Sequence, residues 1–139
     1  MGRVTTEAKV ENLADLYAAK QGHRTVDQIR SVTIPDALVD TGATMLSLPS
    51  RLIEQLGLAR VSTRRIVSSV GKAEAGIFEA VWLTIQGRSC SMDVLEVPDG
   101  VPALIGQIPL EQLDFVVDPQ SRRLVGNPAH GGEHVIEMY

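Results

Sequence analysis

From Ser31 to Gly126 the chain is a succession of short apolar runs, each cut off within a few residues by glycine, proline or a charged side chain. That punctuation suits many short strands joined by tight turns better than long amphipathic helices. Ser31–Ile34 and Ala37–Val39 flank Pro35-Asp36, and Met45–Leu48 follows as a further strand. Val61–Ser69 and Ile77–Ile85 flank the small-residue stretch Val70–Gly76, which predicts a long hairpin with a mobile tip. Ser89–Val97 alternates Cys90, Met92 and Val94 with polar partners, as a half-buried strand does. Ala103-Leu104-Ile105-Gly106 is a second short apolar run ending in glycine, and Phe115–Val117 with Arg122–Val125 reads as a last hairpin.

Helices are expected in three places. Asn12 can cap a helix bearing Leu13, Leu16 and Tyr17, stopped by Gly22. Pro49 suits the first turn of a helix whose Leu52, Ile53 and Leu56 share one face, with Gly57 at its end. Pro109–Leu113 is long enough for one helical turn. The expectation is a mainly β chain: a closed β-barrel with two or three short helices. A length of 139 residues fits one domain. It divides into a core of about 31–126, an N-terminal extension 1–30 and a C-terminal tail 127–139. Aromatics make up only 4% of the chain, so the core must rest on valine, leucine, isoleucine and alanine.

Charge narrows the function classes. A net charge of −4 gives no general attraction to nucleic acid or to an anionic membrane. No apolar run reaches the length that spans a bilayer, and Met1–Val10 lacks the apolar segment of a signal peptide. Cys90 is alone, so no intrachain disulfide can form, and a cytoplasmic, reducing location is expected. Its place in an alternating strand points to a buried structural thiol. Phosphate-loop, dinucleotide and nucleophile-elbow motifs are absent, and no cofactor is expected. His130, Glu133 and His134 are metal-ligating types, but Gly131-Gly132 disfavours the helix that would align them. A solvated or partner-packing tail is the expectation there, with no metal site.

Asp40 stands apart. It follows Ala37-Leu38-Val39 directly, so a carboxylate is expected next to buried apolar side chains. Burying it unpaired would cost several kcal/mol, on the order of a large share of a domain's stability. Thr41 and Gly42 supply a hydroxyl and an unhindered backbone that can hold it in a tight loop. Asp-Thr-Gly after a strand is also an ordinary turn, the aspartate accepting from its own backbone two residues on.

The surrounding order adds to the motif: Ala37-Leu38-Val39-Asp40-Thr41-Gly42-Ala43, then Leu48-Pro49 to Leu58, then a long hairpin, then Ala103-Leu104-Ile105-Gly106. Over Ile34 to Leu124 the chain resembles the retropepsin-like aspartic proteases in their bacterial, single-domain form. The resemblance implies the acid protease fold, one lobe per chain, and an endopeptidase that hydrolyses peptide bonds. It implies Asp40 as the catalytic residue, with Thr41, Gly42, Ala43, Ile105 and Gly106 supporting the active-site loop. Val70, Gly71, Lys72 and Ala73 would belong to a flap that closes on the peptide. The chain holds one Asp-Thr-Gly, so the second catalytic aspartate would come from an identical subunit in a homodimer. Two other readings keep the fold: a dimer that binds extended peptides with weak or no cleavage, and a dimerisation module that leaves the cleft unused. The sequence departs from the family's pattern at Gln107, where many relatives carry a residue that can pair with charge. It also departs in both terminal segments, where the family often builds its dimer sheet.

Overall fold

Pairing starts at the N-terminus. In the computed structural model, which describes residues 3–68, 71–135 and 137, β1 (Thr5–Asn12) turns Ala8, Val10 and Asn12 inward at the two-residue period of a strand. Asn12 then caps α1 (Leu13–Lys20): its side-chain oxygen accepts the Asp15 N–H at 3.0 Å, while its amide donates to the Leu56 carbonyl at 2.8 Å. Asp15, 2% exposed, accepts three hydrogen bonds from Arg30, through its backbone N–H, Nε and Nη2. Those bonds hold its carboxyl below the ordinary carboxylate range and tie α1 to the start of the next strand.

That strand, β2 (Ser31–Val39), runs through Pro35 without breaking. Thr6 pairs with Ala37 and Ala8 with Ile34, so two residues of β2 oppose one of β1. Proline has no N–H to give a ladder, and this bulge is where one is tolerated. The bulge also re-phases the strand, so that Ile34, Ala37 and Val39 all face the core. β3 (Leu46–Pro49) is buried along its whole length. α2 (Ser50–Leu56) follows, with Leu52, Ile53 and Leu56 inward and Gly57 in the left-handed conformation at its end. Pro49 ends the strand and precedes the helix by one position.

β4 (Arg60–Ser68) and β5 (Gly71–Ile85) form the long hairpin. Gly71–Gly76, expected as part of a flexible tip, is instead paired with β4 residue by residue, Lys72 opposite Val67 and Ala75 opposite Arg64. Small side chains do not prevent pairing when the backbone can supply the ladder. β6 (Arg88–Val97) returns along β5. β7 (Leu104–Ile105) leads into α3 (Gln107–Gln112), and β8 (Phe115–Asp118) pairs with β9 (Arg123–Gly126).

The sheet order is β1-β2-β7-β3-β6-β5-β4, and β1 also pairs with β5, Lys9 opposite Thr84. Six strands therefore close into a barrel, and β4 extends from β5 outside it. The core inside is aliphatic: Val10, Leu46, Leu48, Val81, Leu83, Val94 and Ile105 are at most 1% exposed. Ala8 and Val10 belong to that core, so the segment read as an N-terminal extension helps to build the barrel. Cys90 is buried among the same residues, and burial pushes its thiol up to about 11. No described helix is long and apolar enough to cross a membrane.

Candidate active site

The loop Asp40–Met45 leaves the barrel after β2 and re-enters it as β3. β7 lies between those two strands, parallel to β2 and antiparallel to β3. Val39 and Leu46, the residues on either side of the loop, both pair with Ile105. The row continues from Leu46 to Val94 and from Val94 to Phe78. The base of the loop is thus pinned to a row that crosses five strands and is buried as far as Val94.

Backbone bonds hold the rest. The Asp40 N–H donates to the Ile105 carbonyl at 3.0 Å, and the Ala43 N–H donates to the Asp40 carbonyl at 3.1 Å. Gly106 donates to the Met45 carbonyl at 3.1 Å. The first two amides of α3, Gln107 and Ile108, donate to the carbonyls of Ala43 and Thr44 at 2.8 and 2.9 Å. A helix leaves its first N–H groups without internal partners, and here the loop supplies the acceptors. Gly106 makes this closeness achievable: a Cβ there would lie 2.6 Å from the Met45 oxygen and 2.8 Å from the Ala43 oxygen. Only a residue without a side chain lets the two backbones meet.

The Asp40 carboxylate contrasts with its backbone. Oδ1 accepts the Gly42 N–H at 2.9 Å, and this is its one hydrogen bond among the described residues. The residue is half-buried, not enclosed as the apolar run before it led one to expect. The reason is local: Val39 takes the last inward position of β2, and the chain turns out of the barrel at the next residue. The side chain therefore stays in contact with solvent and needs no buried counter-charge. The Asp40–Gly42 geometry is also the ordinary Asx turn, so the turn and a reactive carboxylate are compatible uses of the same three residues. Thr41 and Gly42 are exposed, and Ala43 is half-buried.

The residues expected at the site therefore fall into two groups. Asp40, Thr41, Gly42 and Ala43 lie on one loop, and Ile105 and Gly106 hold that loop through backbone bonds at Asp40 and Met45. Gly71, Lys72 and Ala73 lie on the exposed arm of the β4–β5 hairpin, opposite Ser68, Val67 and Ile66. Val70 lies outside the described residues. Sequence reasoning missed the role of Gln107 and Ile108, having started the helix at Pro109. The signal was there in Gly106 followed three residues later by Pro109, a start position at which proline costs no hydrogen bond.

A family model described as aspartyl protease matches residues 25–108, more than half of the chain, and the match takes in both the Asp40 loop and Gly106. The chain belongs to the aspartyl protease family. No curated protein matches the sequence. For this aspartyl protease family member the closed, mainly β barrel agrees with one lobe of the acid protease fold. The family is one of peptidases.

The described part of the C-terminal tail is docked on the turn between α3 and β8. No group of three or more potential ligands able to hold a metal ion occurs among the described residues. His130, whose side chain is 14% exposed, instead packs on Asp114, a residue the sequence did not single out.

Proposed function

We propose that this chain is a homodimeric aspartic endopeptidase in which Asp40 of each subunit contributes one carboxylate to a shared site. The supporting observation is the half-open Asp40 carboxylate on a loop whose backbone is fixed by β7 and α3. With one Asp-Thr-Gly per chain, a two-fold axis beside the loop would bring two identical carboxylates face to face. At about 3 Å apart such carboxylates cannot both ionise comfortably, so they share a proton and titrate as a pair. The ionised member takes a proton from a water held between them, and that water attacks the scissile carbonyl carbon. The protonated member donates to the carbonyl oxygen. The first aspartate then passes the water's proton to the amide nitrogen, the C–N bond breaks, and a hydroxyl of the diol returns a proton to the second aspartate as an acid and an amine are released. Thr41, exposed beside Asp40, would brace the partner's loop, and Gly42 would let the peptide backbone approach. Gly71, Lys72 and Ala73 would line the flap that excludes water over the substrate.

The test uses subunit mixing. Asp40→Asn should lower cleavage of an unfolded protein substrate by about 10²–10⁴-fold and leave the dimer intact in sedimentation. Equal parts of wild type and Asp40→Asn, allowed to exchange subunits, should retain about a quarter of the activity, because only wild-type pairs carry both carboxylates. Activity that tracks the wild-type fraction linearly would exclude a shared site. A wild-type dimer that cleaves nothing from acidic to neutral pH would leave the peptide-binding reading in its place.

A further inference from the structure

A second carboxylate anchors the other end of α3. Asp114 sits in the turn between α3 and β8 at a φ of +58°, with its side chain 9% exposed. Its Oδ1 accepts from Asn127 Nδ2 at 3.3 Å. Its Oδ2 accepts the Val135 N–H at 3.1 Å and lies 2.6 Å from His130 Nδ1. The segment from Asn127 to Val135 is thus wrapped round one side chain. Arg88 fastens the same corner from β6, donating to the carbonyls of Leu113 and Asp114 at 2.9 and 2.8 Å and to that of Gly132.

His130 is placed between two acceptors. Its other nitrogen, Nε2, lies 2.8 Å from Glu137 Oε1. An ionised carboxylate only accepts, and a neutral imidazole carries a single N–H. With a neutral ring, one of the two contacts would set lone pair against lone pair. Only the imidazolium satisfies both, so the proton on His130 is what locks this segment down. We propose that His130 is a positioning residue: its imidazolium clasps residues 127–135 and Glu137 to the C-terminal end of α3, and so steadies the Asp40 loop held by the helix's other end. Its bearing on cleavage rests on the role proposed above for Asp40; the clasp itself does not.

The electrostatics agree with the geometry. The hydrogen bonds that His130 donates to Glu137 and Asp114 hold its imidazole above the ordinary value, and His130 holds the Asp114 carboxyl below the usual range. Of the other charged groups nearby, Glu111 lines the same cleft and Glu133 lies on the segment itself, and neither brings a positive charge to the ring. Arg88 is engaged with carbonyls. His134 Nε2 faces the Gln112 carbonyl, a contact that a neutral ring can still make. A raised histidine contributes stability that is whole below its unfolded value of about 6.5 and is lost as pH rises through the folded value. A lowered aspartate contributes stability that is lost as pH falls through its folded value. The clasp is therefore closed between those two limits, opening as pH rises through the upper one or falls through the lower.

The test follows the His130 ring proton by NMR in the full chain, with Glu137→Ala as the perturbation, since alanine can neither accept from the ring nor donate to it. Glu137 is half-exposed, so its replacement spares the core. His130 should titrate above about 6.5, and Glu137→Ala should lower that midpoint. At a pH between the two midpoints, the amides of Val135, Gln107 and Ile108 should exchange up to about tenfold faster in Glu137→Ala than in wild type. A midpoint at or below the ordinary value, or one that Glu137→Ala leaves in place, overturns the clasp. Faster exchange at Val135 with Gln107 and Ile108 unchanged overturns the positioning role. None of these readouts needs cleavage, so a failure of the peptidase assignment would show separately.

Discussion

Asp40 and Asp114 are both aspartates in tight turns, and both connect to α3. Around Asp40 the loop backbone is bonded to β7 and α3 at Asp40, Ala43, Thr44 and Met45, while the carboxylate accepts one hydrogen bond among the described residues and stays half-open. Around Asp114 the carboxylate itself is the hub, taking donors from Asn127, His130 and Val135 and losing nearly all contact with solvent. Asp15 repeats the second pattern with Arg30. A carboxylate used to hold a structure spends its lone pairs on donors, whereas one available for chemistry needs a fixed backbone and spare acceptor capacity. The three acids therefore separate by what their oxygens already hold, and their burial follows the same division.

Substitutions can break that comparison. The largest effect is expected at Gly106, on which the fixed backbone of the Asp40 loop depends. Gly106→Ala would force a Cβ against the Met45 and Ala43 oxygens, and should cost about 1–3 kcal/mol in chemical denaturation while abolishing cleavage. Retained activity would show that the loop does not need its contact with β7 and α3. Asp114→Asn should come next. It replaces an acceptor facing three donors, so the melting temperature should fall by several degrees, whereas Asp40→Asn should leave it nearly unchanged. The Asp114→Asn deficit should be full above about pH 4 and should shrink as pH falls through the lowered folded value, where the wild-type carboxylate takes up its own proton. A deficit that persists unchanged into acid would mean that Asp114 acts by shape and not by charge. The smallest effect on stability is expected for Gly42→Ala. Its Cβ would sit 3.2 Å from Asp40 Oδ1, close enough to nudge the carboxylate but not the barrel. Cleavage should drop about tenfold, a displacement effect well below that of losing the group, with melting nearly unaltered. A drop as large as that of Asp40→Asn would give Gly42 a more direct part in binding.

Much of this was legible in the chain itself, for physical reasons that can be named. Period-two burial in β1 and β6, the Asn12 cap, and Gly57 ending α2 are local rules, readable within a few residues. The Asp40 loop was legible as a motif because its residues are adjacent. Three things were not legible. The pairing of Gly71–Gly76 with β4 escaped a reading that took small residues for a loose tip. The half-exposure of Asp40 depends on where β2 leaves the barrel, which no neighbouring residue encodes. The Asp114–His130 contact joins residues on separate elements with no spacing rule between them, and a glycine-rich tail gave no sign that it was docked.

The closing seam of the barrel carries a consequence for how the chain reaches this state. β1 is made first, yet its second neighbour is β5, so Lys9 must find Thr84 across more than half the chain's length. Contacts between such distant partners require large loops to close before they give any return, and folds built on them form slowly. Until β5 has been synthesised, the inner face of β1, with Ala8 and Val10, has β2 alone beside it. An emerging chain would thus expose an unfinished sheet edge for much of its synthesis. Charged Lys9 and Glu11, alternating with those apolar residues along β1, are of the kind that discourages a wrong strand from pairing there first.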